Sequence, residues 1–85
     1  MRKGNIEQSS NGYKIIVVDD EIGIIDSLSI FLKRSGYEFT GVTDPLEAIE
    51  RVKNEHFDLM LLDFIMTPIH GDQVVEEIRK FNKDL

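Results

Sequence analysis

Acidic residues follow two apolar runs of this sequence at the points where the runs end. The stretch VDDE (residues 18–21) closes the run IIVV, and Asp63 directly follows LMLL. If the two runs are neighbouring strands of a parallel sheet, Asp19, Asp20 and Asp63 meet at one edge, because the carboxyl ends of such strands form the ligand crevice. Carboxylates this close repel one another unless a cation neutralises them. Oxygen ligands suit a hard divalent cation, so the sequence predicts a Mg²⁺ site.

A structural explanation of the same acids competes with this prediction. Asp and Glu are favoured at helix N-termini by capping and by the helix dipole. Acidic residues make up 16 of the 85 residues, so neither Asp-Asp-Glu nor Asp63 alone is informative. Their joint placement after the two most apolar runs favours a shared cation site.

Three strand–helix pairs are predicted to position these acids. The β-branched run at residues 15–18 is typical of a parallel strand buried on both faces. A helix-spaced apolar pattern follows and stops before Gly36, a favourable helix terminator. The residues of this pattern are Ile22, Ile24, Ile25, Leu28, Phe31 and Leu32.

The second and third pairs repeat the arrangement. Residues 38–42 form a predicted strand, after which Asp44 can cap a helix whose first residue is Pro45. Residues 57–62 form the third predicted strand, and Asp72 can cap the last helix. That helix should bury Val74, Val75, Ile78 and Phe81. The order β-α-β-α-β-α predicts an α/β fold with a parallel sheet.

Composition limits the class of protein. Sixteen acidic against ten basic residues give a net charge of −6, which argues against binding nucleic acid or an anionic membrane surface. The chain has no cysteine, which excludes disulfides and thiolate metal sites. No run approaches the length of a transmembrane helix, and the polar N-terminus is not a secretory signal. We therefore expect a soluble, cytoplasmic protein.

Two stretches, KIIVVDDE and LMLLDFIMTPIHG, are each followed by an amphipathic helix pattern. In this they resemble the receiver domain of two-component response regulators, whose fold is flavodoxin-like (CheY-like). The resemblance runs from about Lys14 to Phe81. On this basis we divide the chain into a flexible leader, residues 1–12, and a partial receiver domain, residues 13–85.

The resemblance implies a role for each acid. Asp63 would accept a phosphoryl group from a histidine kinase or a phosphotransfer protein. Asp20 would ligate Mg²⁺ directly, Asp19 mainly through water, and the backbone carbonyl of Ile65 would add a ligand. Glu21 receives no ligand role. The domain would then be a signalling module that undergoes self-phosphorylation and autodephosphorylation at most, and not an enzyme.

The chain also departs from the family pattern. The family has five βα units in sheet order 2-1-3-4-5, whereas three units and the order 2-1-3 are expected here. A Thr or Ser after strand 4 and a Lys after strand 5 thus have no counterpart. In the loop after Asp63, Thr67 takes the fourth place, usually Pro, while Pro68 is fifth and Gly71 keeps the eighth. Strand 3 becomes an edge, so we expect dimerisation, element swapping, or a fragment of a longer protein.

Two other functions compete with the phosphoacceptor. A pseudo-receiver would keep the fold as a non-phosphorylated protein-interaction module; the missing Thr and Lys favour it, and the retained acids oppose it. A Mg²⁺-dependent enzyme with an aspartyl-phosphate intermediate or a nucleotidyl site is the third. Phosphatases of the haloacid dehalogenase type need Asp-x-Asp, whereas the acids are adjacent here, and no P-loop is present.

Overall fold

The computed structural model describes residues 12–85 and contains three strands and three helices in alternation. The elements are β1 (Lys14–Val18), α1 (Ile22–Arg34), β2 (Glu38–Val42), α2 (Pro45–Asn54), β3 (Leu59–Leu62) and α3 (Gly71–Arg79). The strands form one parallel sheet in the order β2-β1-β3. The predicted α/β fold and strand order 2-1-3 are confirmed. The predicted leader lies outside the described residues, except for Gly12.

The central strand β1 supplies both hydrophobic cores of the sheet. Ile15 and Val17 face one side, where they pack with α1. Ile16 and Val18 are both 0% exposed and face the other side, where α2 and α3 contribute Ala48, Ile49, Val52, Val74 and Ile78. A strand covered on both faces is continuously apolar, which explains the run IIVV.

The third strand begins at Leu59 rather than at the predicted Phe57. The reason lies in Asp58, whose Oδ2 accepts the backbone N–H of Lys14 at 2.8 Å. The Asp58 N–H in turn donates to the Lys14 carbonyl at 2.8 Å. The Asp58 side chain thus takes the place of a main-chain acceptor, and the strand pairing between β1 and β3 starts one residue later, at Leu59. The Asp58 carboxylate also forms a hydrogen bond through Oδ1 with His56 Nε2 at 2.9 Å. The hydrogen bond from the Lys14 N–H, and then that with His56, lower the pKa of Asp58.

The capping of the helices was predicted correctly in one case and wrongly in another. Asp44 caps α2, since its Oδ1 accepts the N–H of Leu46 at 2.9 Å. Asp72, in contrast, is not the cap of α3 but lies in its first turn. The N-cap is His70, whose N–H donates to Oε1 of Gln73 at 2.9 Å. Acidic Asp72 still interacts favourably with the helix dipole there.

The apolar faces of α1 and α3 are only partly buried. Ile25 and Leu32 are buried in α1, but Ile22, Ile24 and Phe31 are exposed. In α3, which ends at Arg79, the prediction that Phe81 is buried was wrong, because Phe81 lies beyond the helix and is exposed.

An apolar groove runs along the outer side of β3. Leu59 and Leu61 are 48% and 37% exposed. The groove has a volume of about 360 Å³, and α3 contributes Val75 and Ile78 to its lining. None of the helices between residues 12 and 85 is long and apolar enough to cross a membrane.

Candidate metal and phosphoryl site

The sheet register brings the acidic residues together. Val18 pairs with Leu62, so the residues that follow them leave the sheet side by side. The Asp63 N–H donates to the Val18 carbonyl at 3.0 Å, and the Asp19 N–H donates to the Val42 carbonyl at 3.1 Å. One carboxylate oxygen from each of Asp19, Asp20 and Asp63 lies within 4.8 Å of the other two. The structure therefore forms the predicted cluster.

Backbone amides orient two of these carboxylates. Asp19 Oδ1 accepts the N–H of Glu21 at 2.9 Å, and Asp63 Oδ1 accepts the N–H of Ile65 at 3.0 Å. In each case the aspartate bonds the amide two residues on, which is the geometry of an Asx turn. Both residues are half-buried, whereas Asp20 is exposed. Backbone amides thus fix the carboxylates of Asp19 and Asp63, which directly follow the adjacent strands β1 and β3.

The donor set matches what Mg²⁺ requires. In octahedral coordination, ligands each about 2.1 Å from Mg²⁺ are about 3.0 Å apart when adjacent and about 4.2 Å apart when opposite. The three oxygens lie within 4.8 Å of one another, so they would have to draw closer together to occupy one coordination shell. Mg²⁺ usually takes one or two carboxylates and keeps waters, which exposed Asp20 allows. Ile65 lies in the turn that follows Asp63, so its carbonyl belongs to the same loop.

Solvent reaches the cluster through a cavity of about 230 Å³. Asp19 and Asp63 form its polar part, and Leu28 of α1 and Leu61 of β3 are among its apolar residues. The cavity therefore lies beside the cluster on the side of the sheet covered by α1. A small group could approach Asp63 from this direction.

Each lysine in residues 12–85 contacts something other than the acidic cluster. Three lie over aromatic rings, and two bond to acceptors on or near α3. These contacts are Lys14 with Phe57, Lys33 with Phe39, Lys53 with Phe81, Lys80 with Glu77, and Lys83 with the Arg79 carbonyl. Lys80 and Lys83, at and beyond the end of α3, thus bond to residues of that helix.

One residue of the site region was not assigned a role from the sequence. Gly71 donates its N–H to the Phe64 carbonyl at 3.1 Å, so α3 begins directly against the loop that carries Asp63. Between them the loop contains a cis Thr67–Pro68 peptide bond and buries Met66. The sequence signal was the glycine eight residues after Asp63, but its contacts depend on the tertiary structure.

A parallel α/β sheet with carboxylates gathered at adjacent strand ends is the architecture of a protein that binds its ligand at the carboxyl edge. The family model for the response regulator receiver domain matches residues 15–85. The chain belongs to this family, and the resemblance drawn from the sequence is confirmed.

Individual relatives agree with this assignment. The chain is 37% identical over 67 residues to the alkaline phosphatase synthesis transcriptional regulatory protein PhoP of Bacillus subtilis, covering 79% of this chain and 28% of the relative. It resembles the crystal structure of response regulator TrrA of Thermotoga maritima in complex with Mg²⁺-BeF, with a TM-score of 0.79 and 38% identity, over 84% of this chain and 62% of that one.

TrrA in complex with the histidine kinase ThkA is equally similar, with a TM-score of 0.79 and 39% identity, over 85% of this chain and 62% of that one. The chain thus spans less than a third of the length of PhoP and about three-fifths of the TrrA chain. It is a receiver domain of the response-regulator type, and this likeness covers its three βα units.

Proposed function

We propose that Asp63 accepts a phosphoryl group from a histidine kinase or a phosphotransfer protein, with Mg²⁺ held by Asp19, Asp20, Asp63 and the Ile65 carbonyl. The observation that carries this proposal is the convergence of three carboxylate oxygens within 4.8 Å at the ends of β1 and β3. The Mg²⁺-BeF complex of TrrA and its complex with a histidine kinase support it by analogy. Residues 13–85 would then be the first three βα units of a receiver domain. The cytoplasmic location stays a prediction.

The proposed transfer depends more on the position of the Asp63 carboxylate than on its basicity, because phosphoryl transfer depends mainly on alignment and charge neutralisation. An Asp63 oxygen attacks phosphorus while the bond from phosphorus to the donor's nitrogen breaks, and the electron pair leaves with that nitrogen. The Ile65 N–H fixes the Asp63 carboxylate through Oδ1 at 3.0 Å, which limits the rotation of the nucleophile. Bound Mg²⁺ would supply positive charge opposite the phosphoryl oxygens.

The test is the intact mass of the protein after incubation with a small acyl phosphate. We expect one phosphoryl adduct that requires Mg²⁺ and is absent from Asp63→Asn. Asp72→Asn is the matched control: it makes the same charge change in the exposed first turn of α3 and should keep the adduct. An adduct that survives in Asp63→Asn, or that forms in EDTA, would refute the proposal.

The second candidate is a pseudo-receiver, a non-phosphorylated interaction module. It would keep the receiver fold and the acidic cluster without taking part in phosphoryl transfer. The mass experiment separates the two functions. A folded protein that binds Mg²⁺ but forms no adduct would favour the pseudo-receiver.

We also propose that the edge of β3 pairs with a second copy of the chain. Leu59 and Leu61 project from an edge strand beside an apolar groove, and such edges favour pairing. Antiparallel pairing of two β3 strands would join two three-stranded sheets into one sheet of six strands. Exchange of elements between copies would give a dimer of the same mass.

Light scattering should show a dimer that Leu61→Lys disrupts and that Ile30→Lys, on the exposed surface of α1, does not. A compact monomer of the unaltered chain at high concentration would exclude the pairing.

A further inference from the structure

Gly71 occupies the first position of α3, where glycine has no conformational advantage. Its backbone is not in the left-handed region, which Gly12 and Gly36 occupy. Within a helix glycine is less favourable than alanine. A reason other than backbone geometry or helix propensity must therefore explain a glycine here.

The reason is steric contact with the loop after β3. A Cβ on Gly71 would lie 2.6 Å from the Phe64 Cα and 2.7 Å from the Asp63 carbonyl oxygen. Both are main-chain atoms, so a rotamer change cannot relieve the overlap. The Gly71 N–H also donates to the Phe64 carbonyl at 3.1 Å. The start of α3 is therefore in direct contact with the Asp63–Phe64 peptide.

That peptide lies between two groups with proposed ligand roles. Asp63 carries the carboxylate and Ile65 the carbonyl, and the Ile65 N–H bonds back to the carboxylate at 3.0 Å. Displacing Phe64 must move at least one of them. We propose that Gly71 is a positioning residue for the Mg²⁺ site, because its missing side chain lets α3 clamp the Asp63–Ile65 turn. This inference rests on the proposed function.

A second glycine provides a matched control. Gly23 also lies in the first turn of a helix, α1, which begins just after Asp19 and Asp20. A Cβ on Gly23 would meet nothing within 4 Å. Gly23→Ala therefore makes the same chemical change in the first turn of a helix beside the same site, at the second helical residue instead of the first, but without the overlap.

The experiment measures Mg²⁺ affinity by isothermal titration calorimetry for the unaltered protein, Gly71→Ala and Gly23→Ala. Changes that displace metal ligands through their supporting contacts typically cost roughly 10–100-fold in affinity. We expect a loss of this size for Gly71→Ala and unchanged affinity for Gly23→Ala. Thermal unfolding in EDTA is recorded alongside, because a purely structural role would lower the melting temperature and leave the Mg²⁺ affinity of the folded protein unchanged.

The outcomes distinguish the inference from the function on which it rests. If the unaltered protein binds no Mg²⁺, the proposed site itself is wrong. If it binds and Gly71→Ala binds equally well, the role of Gly71 is refuted. Should Gly71→Ala not fold, amide hydrogen exchange in the unaltered protein decides, since coupling between sites is reciprocal. Saturating Mg²⁺ should slow exchange at Gly71 more than at Leu46, in the first turn of α2; equal slowing would contradict the inference.

Discussion

Replacing Asp63 with asparagine is expected to stabilise the metal-free protein, although it removes the proposed nucleophile. The substitution keeps the shape of the side chain and an oxygen that can accept the Ile65 N–H. It removes one of three carboxylates whose oxygens lie within 4.8 Å. Asp63 is far from Asp19 and Asp20 in the chain, so their repulsion arises only on folding.

The size of the effect follows from Coulomb's law. Two unit charges 4.8 Å apart repel by about 0.9 kcal/mol at the dielectric constant of water. Physiological salt, with a screening length of about 8 Å, reduces this by roughly half. Asp63 has two such neighbours, so Asp63→Asn should raise the free energy of unfolding by about 1 kcal/mol. For a domain of this size that raises the melting temperature by about 4–8 °C.

Differential scanning calorimetry in EDTA, with and without added salt, measures this gain. The gain should shrink as salt is raised, because the repulsion is screened. Saturating Mg²⁺ should then reverse the order of stability. At a hundred times its dissociation constant it adds about 2.7 kcal/mol to the unaltered protein. Asp63→Asn, which lacks one proposed ligand, would gain only about 1.4 kcal/mol if its affinity were ten-fold weaker.

Asp72→Asn controls for net charge. It should not raise the melting temperature, because Asp72 interacts favourably with the N-terminus of α3. The reasoning would be wrong if Asp63→Asn melted below the unaltered protein in EDTA. It would be equally wrong if Asp72→Asn gave the same gain, since the effect would then come from net charge and not from the cluster.

Two further predictions concern the scaffold. Ile16→Ala should lower the free energy of unfolding by about 2–5 kcal/mol, because Ile16 is fully buried in the sheet, while exposed Ile30→Ala should change it by less than about 0.5 kcal/mol; equal losses in urea titrations would contradict the assigned core. The Asp58 pKa is lowered in the folded state by its bonds to Lys14 and then His56, so its contribution is present above the unfolded-state pKa, about 3.9, and disappears as pH falls through the folded-state value. The stability difference between the unaltered protein and Asp58→Asn should therefore shrink as pH falls below about 5 and through the folded-state pKa; a constant difference over that range would argue against it.

Much of this fold could be predicted because its signals are local. The apolar run of β1, the capping Asp44 and the acid after each of the two apolar runs are all readable from a few adjacent residues. Their convergence followed from one general rule about parallel sheets. The carboxylate cluster then depends only on β1 and β3 being neighbours, which the structure confirms.

Two features that were missed depend on contacts outside the local sequence pattern. Asp58 shortens β3 because its side chain accepts the N–H of Lys14, at the start of β1, and no local pattern predicts that hydrogen bond. Gly71 is explained only by the approach of the Asp63–Phe64 backbone. The cap of α3 differs from these two, because it was missed although the contact is local: His70 is the N-cap, and its N–H donates to Gln73 Oε1 three residues on.

The central position of β1 has a consequence for the order of events during folding. Both strand pairings are with β1, and both join distant parts of the chain, Lys14 with Glu38 and Ile15 with Leu59. Such non-local, parallel pairings form slowly, because loop closure precedes the stabilising contacts. During synthesis β1 emerges first and cannot bring its acids together with Asp63 until β3 arrives. A nascent chain would therefore acquire its cluster of three carboxylates in a single late step.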